Sequence, residues 1–315
     1  MATIFTALTA LAALVVGARG ETRTVAVFTK NSTNPAYESF RIGADRVAGV
    51  AGVRTKHFVP QKPDNTEEQQ QMVEQVLREK PDLVIFIPVD DVAMVASVKK
   101  LNAAKIPIVL AANPLPGSFV TFVGADDAEI GYRQARYLFD KLGGTGDIVV
   151  IEGTPVAPTS RARLIGYQRA LAEYPGIRVL ASETGNYQQP DAKHVMAGLL
   201  GEHARIDAVL SANDGMALGA LEALKDANRT AVVVGINGIA DAVRQIETGA
   251  MLASVDFNMF KIGCVAMRAA LRHLDGAPLP EKIMLPAEII DKDNYKAWLM
   301  PVSQRPCPEW AEVSQ

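Results

Sequence analysis

From residue 24 onward, short runs of apolar, mostly β-branched residues alternate with longer stretches whose apolar positions recur on a helical period. TVAVFT (24–29), RTKHFV (54–59), DLVIFI (82–87), IPIVLA (106–111) and FVTFVG (119–124) predict five strands. DIVVIE (147–152), IRVLAS (177–182), IDAVLS (206–211), AVVVGI (231–236) and MLASVD (251–256) predict five more. Helix-length segments lie between most of them, among them 36–50, 66–79, 91–103, 127–142, 159–173 and 190–202. A further helix is expected at 259–274, and IMLPAEIIDKDN beyond it holds more strand-like pieces. Strands and helices alternating at this spacing predict an α/β fold with mainly parallel, doubly wound sheets. Continuous apolar runs such as LVIFI suit strands covered on both faces.

The pattern also repeats itself. DLVIFIPVDDVAMVASVKKL (82–101) and DAVLSANDGMALGALEAL (207–224) share one plan: Asp, apolar strand, polar loop with Asp, then a helix of small apolar residues. Two similar halves predict two lobes, since one open sheet of some ten strands sits at the upper end of the common range. A lobe boundary is expected in VGADD, near Gly124 to Asp127.

Composition narrows the partners. The 315-residue chain is 49% hydrophobic and 21% charged with a formal net charge of −3, and it has no basic block suited to nucleic acid. Its first residues, MATIFTALTALAALVVGARG, are uncharged from Ala2 to Ala18 and end on small residues at Ala18 and Gly20. They read as an export signal cleaved after Gly20, although the usual basic start is missing. A membrane anchor is the alternative, and the stretch is at the short end for one. Cys264 and Cys307, the two cysteines, are open to bridging in an oxidising compartment. Two free thiols are the other reading, and their spacing is no metal or CxxC signature.

Ligands of doubly wound sheets gather where strand C-terminal ends meet helix starts. The loops there read KNSTNPAYESF, IPVDDVA, AANPLPG, EGTPVAPTSRARLIGY, TGNYQQPDAK, SANDG, GINGIADA and SVDFNMF. Asn, Asp, Tyr, Phe and Arg dominate them. Amides and carboxylates serve hydroxyl groups, flat rings cover C–H faces, and Arg163 offers a rigid fork of donors. That chemistry suits a neutral, hydroxyl-rich small molecule. Each polar residue also has a structural reading, and Asn34, Asp90, Asp91 and Asp214 are all placed to cap helices. In SANDG, Asp214 is read as the cap, worth about 1 kcal/mol, and Asn213 as the amide that turns to a ligand.

Catalytic readings find little. The four histidines form no metal-ligand spacing, no GxSxG elbow occurs, and GGTGD (143–147) precedes a strand where a dinucleotide fingerprint would follow one. The pattern therefore predicts no enzyme, no cofactor and no metal.

In combination, NPAYESFRIGADRVA, KPDLVIFIPVDDVA, AAKIPIVLAANP, PTSRARLIGYQRAL, NDGMALGALEAL, VVVGINGIADA and LASVDFNMFKIG resemble the periplasmic sugar-binding proteins of ABC transporters, of the type I ribose-binding kind. The resemblance covers most of residues 23–290. It implies two Rossmann-like lobes joined by three hinge crossings, with a sugar clamped between them and the closed form docking on a membrane permease. The expected division is a signal peptide at 1–20, a first lobe from 21–125 and 256–286, and a second lobe from 126–255 and 287–315. Implied ligand contacts are Asn34, Tyr37, Asp90, Asn113, Arg163, Tyr187, Asn213, Asn237, Asp256 and Phe257. The chain departs from the family in several places. Ala36 replaces a second aromatic, Ala112 and Asn113 stand where Asp-Arg is usual, and Ile236 and Asn237 replace Phe-Asp. Asp256 and Phe257 lie near a common Gln. The expected ligand is accordingly broad: a sugar, a sugar alcohol or a related polar metabolite. A monomer located in the periplasm is expected, with an inner-membrane permease as partner and no nucleic acid. Supply of a chemoreceptor or sensor kinase is the alternative. Readings of another class are a repressor's sensing core, which would need an N-terminal DNA-binding helix pair, and an enzyme on the same scaffold.

Overall fold

The computed structural model describes residues 22–313; the expected signal segment lies outside them. Two six-stranded sheets form two lobes. Lobe 1 is built on β1 (Thr24–Phe28), β2 (Arg54–Phe58), β3 (Leu83–Phe86), β4 (Ile108–Ala111), β5 (Thr121–Gly124) and β11 (Lys282–Met284). Lobe 2 is built on β6 (Thr145–Glu152), β7 (Gly176–Thr184), β8 (Ala208–Ser211), β9 (Val232–Ile236), β10 (Ala253–Asp256) and β12 (Glu288–Ile290). The strand orders are β11-β5-β4-β3-β1-β2 and β12-β10-β9-β8-β6-β7, so the main five strands of each sheet run in the same 2-1-3-4-5 sense. Every pairing is parallel except β10 with β12.

Alternation along the strands explains the layers. In β1, Val25 and Val27 join one core, while Ala26 and Phe28 join the core on the opposite face. β3 divides in the same way, with Leu83 and Ile85 on one face and Val84 and Phe86 on the other. Helices α1 (Pro35–Ala51) and α9 (Met259–Leu274) cover the first face of lobe 1, and α2 (Thr66–Glu79) and α3 (Val95–Ala103) cover the second. In lobe 2, α4 (Asp127–Lys141) and α5 (Pro158–Glu173) lie on one face. The other face carries α6 (Gln189–Glu202), α7 (Asp214–Asp226) and α8 (Ala240–Thr248). Among the described residues no helix is long and apolar enough to cross a membrane.

The chain passes between the sheets of the two lobes three times: from β5 to α4, from β10 to α9, and from β11 to β12. The segment after β12, expected on the second lobe, returns to α1 and α9 of lobe 1 from Ser303 onward. Cys264 and Cys307 form a disulfide that ties the C-terminal segment to α9. In GGTGD, Gly143 and Gly144, both at positive φ, turn the chain, and the other three residues already belong to β6.

Candidate functional site

The 2-1-3-4-5 strand order opens a crevice at the C-terminal ends of the strands in each lobe. The two crevices face each other. From lobe 1 come the end of β1, the first turn of α1 and the loops after β2 and β4. Asn34 caps α1 by accepting from the Ala36 amide at 3.0 Å, and its Nδ2 reaches across to Asn237 Oδ1 of lobe 2 at 3.5 Å. Tyr37 follows in the first turn, its phenol held neutral far above the usual range by burial and by the neighbouring Asp64 carboxylate. Asn113 donates to the Pro88 carbonyl at 2.9 Å, which leaves its amide oxygen for the cleft. Asp64 accepts from Asn31 Nδ2 at 3.0 Å and lies 3.7 Å from the ammonium of buried Lys30.

Lobe 2 answers with Arg163, which is 3% exposed. Its Nε donates to Asp127 at 2.9 Å, its Nη2 lies 2.8 Å from the same carboxylate oxygen as an ion pair, and its Nη1 donates to the Ala212 carbonyl at 2.6 Å. Two of its five N–H groups are hydrogen-bonded and hold the fork still, which leaves N–H groups on both terminal nitrogens. Glycines make this geometry possible: a Cβ on Gly131 of α4 would overlap the Arg163 backbone, and one on Gly166 of α5 would overlap the Ala128 carbonyl. The close α4–α5 crossing brings Asp127 and Arg163 together. Burial pushes the Asp127 carboxyl upward against the pull of the guanidinium.

Tyr187 stands between two cations. Lys30 Nζ of lobe 1 is 5.6 Å from its ring centre, and the Arg163 guanidinium is 5.9 Å away. The same guanidinium lies 5.3 Å from the Phe257 ring centre. The Tyr187 hydroxyl is 3.1 Å from Thr159 Oγ1. Both buried ion pairs, Lys30–Asp64 and Arg163–Asp127, stay within their own lobes. The pairs that cross between lobes, Arg161–Asp91 and Lys261–Glu288, are exposed at the rim.

Eight of the ten expected contact residues line one slit between the lobes: Asn34, Tyr37, Asn113, Arg163, Tyr187, Asn213, Asn237 and Phe257. Its volume is ≈ 20 Å³, room for about one water molecule, so a sugar-sized guest requires the lobes to part. A larger hollow of ≈ 720 Å³ lies outside the slit, beside the start of α1 and the C-terminal segment. The polar side chains of both lobes converge in the slit, which makes the slit the candidate site.

Asp90 and Asp256 are not brought to the slit. Asp90 accepts from the amides of Val92 and Ala93, both at 2.7 Å, and so closes the turn before α3. Asp256 faces the outer hollow, where it accepts from Trp298 Nε1 and the Asn258 amide, both at 2.7 Å. The roles expected in SANDG are also redistributed. Asn213 is the cap of α7, accepting from the Met216 amide at 2.8 Å while its Nδ2 donates to the Tyr187 carbonyl at 3.2 Å. Asp214 is fully buried behind it, accepting from Ser254 Oγ at 2.6 Å and the Ile239 amide at 2.9 Å. Sequence reasoning passed over Asn31, Asp64, Thr159 and Met259, which also line the slit. Three of them sit in the polar loops already noted, whereas Asp64 belongs to the loop after β2, which has no counterpart in that ring. Among the described residues, no cluster of His, Cys, Asp and Glu side chains could hold a metal ion.

Comparison with known proteins agrees with this architecture. A ribose import binding protein of Bacillus subtilis is 27% identical over 267 residues, 84% of this chain and 86% of that protein. A xylitol-binding protein of Mycolicibacterium smegmatis is 32% identical over 236 residues, 72% of this chain and 66% of that protein. Among solved structures, an ABC transporter periplasmic solute binding protein from Actinobacillus succinogenes with bound D-allose superposes with a TM-score of 0.83 at 28% identity. That superposition covers 88% of this chain and 100% of the other. Residues 25–278 match the family profile described as periplasmic binding protein domain. With two doubly wound lobes and a profile match over most of its length, the chain belongs to the periplasmic binding protein family, in its type I fold.

Proposed function

We propose that the protein captures a neutral, polyhydroxylated molecule (a sugar, a sugar alcohol or a close relative) between its lobes and delivers it to an ABC permease in the inner membrane. The observation that carries this reading is the convergence in one slit of amides, two buried ion pairs and aromatic faces from both lobes. Each buried charge already has an opposite partner, so the slit is electrically balanced and favours an uncharged guest. Hydroxyl groups find donors in the N–H groups that Arg163 leaves unbonded and acceptors in Asp64 and Asn113. The arrangement binds and releases; it performs no chemistry. Delivery to a permease follows the import and ABC-transporter relatives. The protein works as a periplasmic monomer, freed of its leader near Gly20.

A melting-shift panel of pentoses, hexoses, polyols and inositols tests the reading. A ligand at about 100 times its Kd adds about 2.7 kcal/mol, which for a chain of this size raises Tm by about 5 °C. A flat response across the whole panel at millimolar concentrations would falsify it.

Gly153 provides a local test. It lies against the Tyr187 ring so closely that any Cβ there would overlap the ring. Gly153→Ala is expected to drive Tyr187 from its place between the cations and to weaken ligand binding at least tenfold, about 1.4 kcal/mol. Calorimetry showing unchanged affinity would remove Tyr187 from the binding surface.

A further inference from the structure

After β12 the sheet of lobe 2 is complete, yet the chain runs on and leaves for the other lobe. Its first part is held on lobe 2. The Tyr137 hydroxyl of α4 donates to Asp291 at 2.7 Å, and Asn294 Nδ2 donates to the Ile289 carbonyl at 2.8 Å. A 3-10 turn, Tyr295–Leu299, packs on α8, and its Trp298 donates to Asp256 at the end of β10. The second part is held on lobe 1. Arg46 of α1 donates to the carbonyls of Ser303 and Arg305, and Cys307 is bonded to Cys264 of α9. Beyond it, Arg268 of α9 pairs with Glu309 at 3.2 Å, and the Arg272 guanidinium lies 4.7 Å from the Trp310 ring centre.

Only Leu299, Met300, Pro301 and Val302 separate the last anchor on lobe 2, Trp298, from the first on lobe 1, Ser303. A fully extended chain over that interval reaches about 18 Å at most. The segment is also folded back on itself, because the Arg305 guanidinium donates to the carbonyls of Trp298 and Met300 at 2.8 and 3.1 Å.

We propose that this C-terminal strap is a fourth, length-limited connection between the lobes that restricts how far they part. The Cys264–Cys307 disulfide is its permanent fastening on lobe 1. Without the disulfide, the Arg46 hydrogen bonds and the Glu309 and Trp310 contacts hold that end alone, and a segment held so can peel away. The proposal rests on the reading that the lobes part to admit ligand. It adds that the unliganded protein is kept partly closed, so the closed, binding-competent state is more populated than three hinges alone would leave it.

The test compares the unliganded wild type with two full-length variants by small-angle X-ray scattering. In one, six Gly/Ser residues are inserted between Met300 and Pro301, lengthening the strap while both anchors and the disulfide remain. The other is Cys264→Ser with Cys307→Ser. Both are expected to have a radius of gyration larger by about 1 Å, against about 19 Å for a compact chain of this size. Both are also expected to bind a panel hit about 3–10-fold more weakly. The insertion leaves the disulfide in place, so its expansion cannot be laid to lost stability. If wild type contracts on ligand but the lengthened strap starts no larger than wild type, the strap proposal alone is overturned. Expansion confined to the double-serine variant, accompanied by lost secondary structure in circular dichroism, overturns it equally. A ligand that raises Tm without contracting wild type overturns the opening reading and the strap with it.

Discussion

Arg163→Ala is expected to lower unfolding stability by about 3–5 kcal/mol, independent of any ligand. Arg163 and Asp127 are both nearly inaccessible, and the alanine leaves a buried carboxylate with no cation and the Ala212 carbonyl with no donor. A buried charge in that position escapes by taking a proton. Burial already raises the Asp127 carboxyl in the intact protein, and loss of the guanidinium removes what opposes the rise. The sign follows directly. The folded variant holds a proton that the unfolded chain releases above about pH 4, so its stability is fullest below that value and falls as pH rises. The deficit against wild type is therefore smaller at pH 5 than at pH 8. Urea unfolding at both pH values measures it, and a deficit independent of pH would show that Asp127 is not stranded. Adding Asp127→Asn to Arg163→Ala is expected to recover part of the loss, the coupling expected of two groups in direct contact.

Asp214→Ala is expected to cost about 3 kcal/mol at pH 5, well beyond the loss of a helix cap. Asp214 ties three chain segments together, because Ser254 on β10 and Ile239 before α8 both donate to it from within the core. Removing it leaves the Ile239 amide without an acceptor, and loosens the loop that carries Asn237. Burial is the largest influence on this carboxyl and pushes it up to about 7, against the hydrogen bonds it receives. The folded protein thus keeps the proton up to about pH 7, whereas the unfolded chain gives it up near pH 4. This group's contribution is full below about pH 4 and is lost as pH rises through 7. The cost of the substitution should accordingly shrink by about 1–3 kcal/mol between pH 5 and pH 8. An identical cost at both would mean that Asp214 is ionised throughout.

These two residues show where the sequence was legible and where it stopped being so. All ten strand candidates are strands, because a parallel strand buried on both faces leaves an unbroken apolar run. Eight of ten expected contact residues meet in one slit because parallel strands place all their C-terminal ends on one side, a consequence that survives small errors in strand boundaries. Side-chain direction within a loop is a finer matter. Asp90 is consumed by a local turn, and Asp256 by a Trp298 that lies 42 positions away. The cap expected of Asp214 falls one residue earlier, on Asn213, which still lines the slit, and Asp214 is buried on partners 25 and 40 positions downstream. Lys30, which carries no sign of burial in the sequence, is buried by the fold beside Asp64 and Tyr187.

Keeping each buried ion pair within one lobe has a kinetic consequence. If Lys30 or Arg163 were paired across the slit, every opening would strand a desolvated charge, at a cost of several kcal/mol in the activation barrier. Parting of the lobes as proposed would sever the long Asn34–Asn237 amide contact and the approach of Lys30 to the Tyr187 ring. Among the described residues, the only inter-lobe ion pairs are the rim pairs. Surface pairs contribute about 0–1 kcal/mol each and are screened by salt. Opening of the kind proposed is therefore expected to be fast, with a rate that changes little with pH and only mildly with ionic strength.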